Sequence, residues 1–255
     1  SGQIPSQIGN LTQLEILKLN DNDLVGNIPI EISNLILLQE LFLGNNPLYG
    51  SIPNFICILT NLEILYLSGI PFQNSIPECI GDLNDLEEFY LSFNNISGEI
   101  PETVCNMVSL DILSINDTSL SGSIPECIGD LGSLNRLSLT RNNLTGEIPS
   151  SIVDITFLEE LDLWDNQLSG QIPEMIENLT SLNTLNLSSN NLTGEIPNSI
   201  VDMTNLVELN IWNNEISGQI PQMIGNLINL TSLVLDVNQL SGQIPFEICI
   251  DGMSY

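Results

Sequence analysis

Leu182 to Pro197 reads LNTLNLSSNNLTGEIP, and the order of residue types in this stretch decides the fold. Leu185 and Leu187 stand two positions apart, the spacing at which alternate side chains of a short strand point to one side. Asn190 follows at a turn, where a short amide can satisfy backbone N–H and C=O groups that the turn leaves unpaired. Gly194 marks a backbone position suited to positive φ. Ile196 and Pro197 then make a corner that opens one turn of 3-10 or α helix, because proline's fixed φ and missing N–H cost nothing there.

The same order recurs along the whole chain. Ile-Pro returns from Pro5 through Pro29 and Pro53 to Pro245, each proline 24 residues after the last, with no insertion or deletion. A leucine column runs in step from Leu14 to Leu230, and a second inward set runs from Ile8 through Val104 to Ile248. The asparagine column extends from Asn22 to Asn238 and is broken at Ile70 and Thr118; the glycine column extends from Gly2 to Gly242 with Asn74 as its substitute. Pro47 and Pro71 put irregular turns between about Gly44 and Asn74. One such unit is too small to bury its own Leu/Ile set, so stacking must supply the core. Successive strands would pair in parallel about 4.8 Å apart, giving a rod or arc on the order of 50 Å long.

With these columns in place, the chain resembles the plant-type leucine-rich repeat of plant receptor-like kinase ectodomains and polygalacturonase-inhibiting proteins. The match covers essentially all 255 residues as one α/β repeat solenoid of about ten 24-residue repeats. The resemblance implies a right-handed superhelix with a parallel β-sheet on its concave face. Short 3-10 or helical returns would line the convex face, and a second short strand would lie near each Leu-Ser-Gly-x-Ile-Pro segment. Family members usually carry cysteine-bearing caps at both ends, and none is visible here. Either such caps belong to a longer chain, or the ends stack on something.

Composition narrows the function. Three basic residues stand against 32 acidic ones, a formal net charge of -29, so nucleic acid and anionic membrane surfaces are poor partners. Histidine, the usual general base and commonest metal ligand, is missing. No nucleophile-base constellation or phosphate loop appears, so neither an enzyme nor a cofactor is expected. No apolar run reaches the roughly 20 residues of a membrane helix, and no charged-then-apolar leader opens the chain.

Function must then lie in the outward positions of the strands, namely Ile16, Lys18, Asn20, Asp21 and their equivalents. Aromatic side chains gather there as Phe42, Tyr66, Tyr90 and Phe93, and again as Trp164 and Trp212. Exposed aromatics are the usual anchors of protein interfaces, while their bland alternative role is to shield strand backbone. All three basic residues, Lys18, Arg136 and Arg141, fall on the same face. Arg136 and Arg141 in one rung resemble the paired arginines with which receptors of this family grip a peptide carboxylate. Register offers the plainer reading that Arg136 pairs with Glu160 and Arg141 with Asp165 and Asp117. Glu63, Glu87 and Asp111 form an acidic ladder, better explained as a solvated face than as a Ca²⁺ site.

Cys57 to Cys79 and Cys105 to Cys127 repeat one spacing from the return of one rung to that of the next, which argues for two disulfides. Cys249 would be left over or paired in a cap; five reduced thiols is the alternative. Oxidised pairs would place the chain in an extracellular or secretory setting. Sequons stand at Asn10, Asn95, Asn116, Asn143, Asn178, Asn186, Asn191 and Asn229, though the repeat consensus itself generates Asn-Leu-Thr. Glycans on Asn116 or Asn186 would obstruct the strand face. The leading reading is an extracellular recognition module binding a protein or peptide on its concave strand face. The alternatives are a structural module with end-to-end contacts in a filament or wall assembly and, less favoured, ice binding through the column from Ser97 to Ser241.

Overall fold

The computed structural model describes residues 2–246. Ile248 and Cys249, given an inward and a leftover role above, lie outside the described residues. Ten parallel strands form one sheet in sequence order: Ile16–Lys18, Glu40–Phe42, Ile64–Tyr66, Glu88–Tyr90, Ile112–Ser114, Arg136–Ser138, Glu160–Asp162, Thr184–Asn186, Glu208–Asn210 and Ser232–Val234. Each begins one residue before the Leu17-to-Leu19 span that the leucine spacing marks. The register advances by one repeat at every step, as in Leu161 opposite Leu185 and Leu185 opposite Leu209. Every residue of a column therefore sits beside its own equivalent in the next rung.

After each strand the chain crosses to a second line of parallel pairing. Ser97–Gly98, Ser119–Gly122 and Asn143–Leu144 form a short three-stranded sheet, and isolated bridges such as Glu147 with Ser169 continue it. The predicted irregular turns interrupt that line, for Phe72 N–H turns back onto Ile70 O at 2.7 Å. The returns are 3-10 turns such as Ser6–Asn10 and Asn198–Asp202. Proline does not occupy the first helical position as expected. It precedes the turn in extended backbone, φ -73° and ψ 145° at Pro5, and its carbonyl accepts the amide of Ile8 at 3.0 Å. The missing N–H still costs nothing, and proline's φ matches what the corner requires.

The core is a continuous column of Leu and Ile, with Phe72 and Phe89 its largest fully buried side chains. The asparagine column does what a turn amide should. In Asn190, Nδ2 donates to Leu163 O at 3.0 Å and Leu187 O at 3.1 Å, while Oδ1 accepts the amide of Leu168 at 3.0 Å. One side chain thus ties its own rung to the preceding one. Thr118 keeps part of this by donating its hydroxyl to Asn142 Oδ1, whereas Ile70 contributes apolar packing alone. In the glycine column Gly170 has φ +76°, and a Cβ there would meet Glu147 Cγ at 2.7 Å.

Both expected disulfides form. Cys57 joins Cys79 and Cys105 joins Cys127, with Cα atoms 5.8 Å apart in each pair. They clip neighbouring returns together on the side opposite the long sheet. Val153 with Met175 and Val201 with Met223 hold the same two positions farther along, so the clip is not repeated there.

Candidate functional site

The long sheet fixes where each outward side chain stands. Glu40, Ile64, Glu88 and Ile112 follow one another in one column, and Phe42, Tyr66, Tyr90 and Ser114 in the column two residues on. The column opening with Asn20 does not face outward throughout as expected. Its small members sink into the sheet: Ser68, Ser92, Thr140 and Ser188 are buried, while Trp164 and Trp212 stand out at 36% and 37% exposure. Small hydroxyls at this place serve the neighbouring rungs. Ser68 Oγ accepts the amide of Ser92 at 3.0 Å, and Ser92 Oγ accepts that of Asn116 at 2.9 Å. Buried Ser188 thus separates two exposed tryptophans, each one rung away.

The next column has a conformation that its residue types do not announce. Asp21, Phe93, Asp117, Arg141, Asp165 and Val237 all have φ between +51° and +58°. A left-handed residue three positions past the strand end turns the chain away from the sheet. Phe93 in this column is 64% exposed.

All three basic residues are already held within the chain. Lys18 Nζ lies 2.6 Å from Glu40, Arg136 Nε 2.9 Å from Glu160, and Arg141 lies 2.8 Å from Asp117 and 3.9 Å from Asp165. Arg141 also stands 5.9 Å from the centre of the Trp164 ring. The plainer register reading therefore describes Arg136 and Arg141, and a carboxylate ligand would compete with these partners.

Two groups on the face titrate unusually. Burial, with Glu160 and Glu208 adding to it, pushes the Asp162 carboxyl up to about 6, although the Trp164 amide donated to its Oδ1 at 3.2 Å favours the ionised form. Burial and then the Glu88 carboxylate push the Tyr90 hydroxyl up to about 12, so it stays protonated as a donor.

Of the sequon residues, Asn10, Asn95, Asn143, Asn191 and Asn229 are exposed and Asn178 is half-buried. Asn116 and Asn186 stand on the strand face as expected but are engaged there. Asn116 Oδ1 accepts the Ser138 hydroxyl at 2.9 Å and the Thr140 amide at 2.8 Å, and Asn186 Oδ1 accepts the Ser188 hydroxyl at 2.6 Å. Among the described residues no group of His, Cys, Asp and Glu is arranged to hold a metal ion, and no helix is long and apolar enough to cross a membrane.

The stacked parallel strands, 3-10 returns and bonded asparagine column define a leucine-rich-repeat solenoid. Comparison with known proteins agrees: leucine-rich-repeat family profiles match residues 13–35, 37–59, 61–83, 85–107 and 133–155, and a longer one matches 156–216. The chain belongs to the leucine-rich-repeat family, of the plant type. No curated protein matches it. Among solved structures it is similar to the ectodomain of the Arabidopsis thaliana membrane receptor kinase GASSHO1/SCHENGEN3 in complex with CASPARIAN STRIP INTEGRITY FACTOR 2. There the identity is 36% and the TM-score 0.92, over 94% of this chain and 29% of that one. It is also similar to the Arabidopsis receptor kinase HAESA in complex with the peptide hormone IDA and the co-receptor SERK1, at 32% identity and TM-score 0.81, covering 96% of this chain and 45% of that one. A plant ice-binding protein is 29% identical with TM-score 0.80, covering 96% of this chain and 79% of that one. The chain thus spans less than half the length of these two receptors.

Proposed function

We propose that the chain is a non-enzymatic, extracellular recognition module that binds a peptide or protein segment across its strand face. The observation that carries this reading is the pair Trp164 and Trp212, both exposed, with buried Ser188 between them in the same column. Two large rings flanking a small residue leave a notch about two rungs wide, roughly 9.6 Å between ring-bearing strands. Such a notch suits an inserted side chain, and desolvated aromatic walls are where binding energy concentrates. Tyr66, Tyr90 and Phe93 extend the apolar surface toward the first rungs, while Arg136 and Arg141 border it as paired charges. The disulfides agree with an oxidising compartment, and the likeness to HAESA bound to a peptide hormone supports the ligand class. Selection of peptides from a displayed random library against the immobilised protein tests it. Enriched peptides should lose binding to Trp164→Ala and Trp212→Ala.

A second reading, ice binding, is favoured by the likeness to a plant ice-binding protein over 79% of that chain. The column from Ser97 to Ser241 would carry it. Its hydroxyls donate to the preceding rung's glycine carbonyl, as Thr193 does to Gly170 O at 3.1 Å, which fixes them in a regular line. Thermal hysteresis in a freezing solution of the protein decides for this reading, and its absence decides against it.

A further inference from the structure

Three neighbouring rungs of the strand face repeat one hydrogen bond. Asp162 Oδ1 accepts the amide of Trp164 at 3.2 Å, Asn186 Oδ1 that of Ser188 at 3.2 Å, and Asn210 Oδ1 that of Trp212 at 3.1 Å. The bond fixes which end of each side chain is left over. With one oxygen spent on the backbone two residues on, Asn210 keeps its Nδ2 as a donor and Asp162 keeps its second oxygen as an acceptor. Among the described residues Asn210 Nδ2 meets no acceptor, and neither of these atoms is buried without a partner.

Register sets these groups on either side of a trough. Asp162, Asn186 and Asn210 are consecutive partners, and pairing continues past them as the Asp165 amide donates to Ser188 O at 3.0 Å and the Ser189 amide to Trp212 O at 2.8 Å. The middle rung is low and its hydroxyls are occupied: Ser188 is 2% exposed and donates to Asn186 Oδ1 at 2.6 Å, while Thr184 donates to Asn183 Oδ1 at 3.1 Å. Asp162 and Trp164 stand on one wall, Asn210 and Trp212 on the other, two rungs or about 9.6 Å apart. An extended chain laid over the floor, parallel to the strands, is then about 4.8 Å from each wall, the spacing at which neighbouring strands exchange hydrogen bonds. In a trans peptide group the C=O and N–H leave on opposite sides. One wall of the trough offers a donor and the other an acceptor.

We propose, resting on the strand-face recognition reading, that the ligand is a short extended peptide segment lying across the sheet, parallel to the strands. One of its peptide groups donates N–H to Asp162 and accepts from Asn210 Nδ2, while an apolar side chain enters between Trp164 and Trp212. The wall from Glu160 to Trp164 spans four residue steps, about 13 Å, so about five ligand residues fill the trough. An acidic segment is a poor occupant, because Glu208 stands at the other end of the wall from Trp212 and the chain carries a net charge of -29.

Library selection on the immobilised intact chain supplies the probe, a peptide whose binding needs both tryptophans, and calorimetry reads its affinity. Methylating the peptide's backbone nitrogens one at a time should single out one bond at which the methyl group lowers affinity at least about tenfold, the effect of one lost hydrogen bond. Asp162→Asn keeps the Trp164 amide satisfied, as Asn210 does for Trp212, but turns a donor toward the ligand. It should lower affinity for the unmodified peptide by a similar factor and erase the sensitivity to that methyl group. Asn210→Asp, which puts an acceptor against the ligand carbonyl, should also weaken binding about tenfold. A core of about five residues should bind within about threefold of the parent peptide. Methyl sensitivity that persists in Asp162→Asn, tolerance of methylation at every bond, or a need for a much longer peptide would overturn the proposal and leave the recognition reading standing. Peptides indifferent to both tryptophans, failure to enrich any peptide, or tryptophan-dependent binding of cellohexaose in place of peptides would remove both.

Discussion

The Arg141 guanidinium rests 2.8 Å from the Asp117 carboxylate one rung back, with Asp165 one rung forward at 3.9 Å. The side chain is about half exposed, so water and salt screen the pairing. Arg141→Ala should therefore cost less than about 1 kcal/mol of stability. It should weaken ligand binding far less than loss of either tryptophan. Thermal melts at low and high salt check this, since the difference between wild type and variant should shrink as salt rises.

Asn190 makes a larger contribution because its amide bonds are buried. Replacing it with alanine leaves the Leu168 amide and the carbonyls of Leu163 and Leu187 without this partner. A loss of about 2–3 kcal/mol is expected from unsatisfied buried groups. Urea titration should show a lower midpoint. An unchanged one would mean that water or backbone rearrangement replaces the amide.

The strand face should also respond to acid. Asp162 has a folded-state pKa raised to about 6 from 3.8, so folding favours its protonated form. This group's contribution is therefore fully favourable below its unfolded value and is lost as pH rises from about 4 through 6. Asp162→Asn should gain roughly 1–2 kcal/mol at pH 7, an amount discounted for partial exposure, and nothing near pH 3.5. Melting both proteins across pH isolates this group from the general relief of like charge that acid brings to every carboxylate. A constant difference would contradict the assignment.

Val153 and Met175 occupy the positions that Cys57–Cys79 and Cys105–Cys127 fill in earlier rungs. Val153→Cys with Met175→Cys should close a third bridge, although Met175 precedes a shorter turn, Ile176–Asn178, than the Glu78–Asp82 turn that holds Cys79. Non-reducing peptide mapping should recover all three cross-linked pairs, and oxidation should raise Tm. Free thiols at both new positions would show that the returns are not equivalent.

Strand position, the register of every column, the core and both disulfides were legible because each is a periodic consequence of stacking. Leu161 and Leu163 two apart fix a strand face, and an unbroken period fixes that Arg136 faces Glu160. What the sequence hid lies where backbone conformation, not residue type, decides. Asp117, Phe93 and Val237 share a left-handed φ although their side chains have nothing in common. Ser68, Ser92 and Thr140 are buried although polar, because each hydroxyl is small enough to sink between neighbouring strands, and Ser68 and Ser92 accept an amide from the next one. Proline's place outside the 3-10 turn differs by one residue from the usual helix rule, a distinction that spacing alone does not reveal.

Recognition on the strand face through Trp164 and Trp212 can be put to the sharpest trial by the affinity of one library-selected peptide for wild type, Trp164→Ala, Trp212→Ala and Gln3→Lys, which places a charge beside Ile4 at the first corner. Either tryptophan variant should weaken binding by about 2 kcal/mol or more, close to thirtyfold, while the corner variant binds as wild type. Binding that ignores both tryptophans and fails on the new charge at the corner would overturn strand-face recognition and leave a module that assembles through its ends.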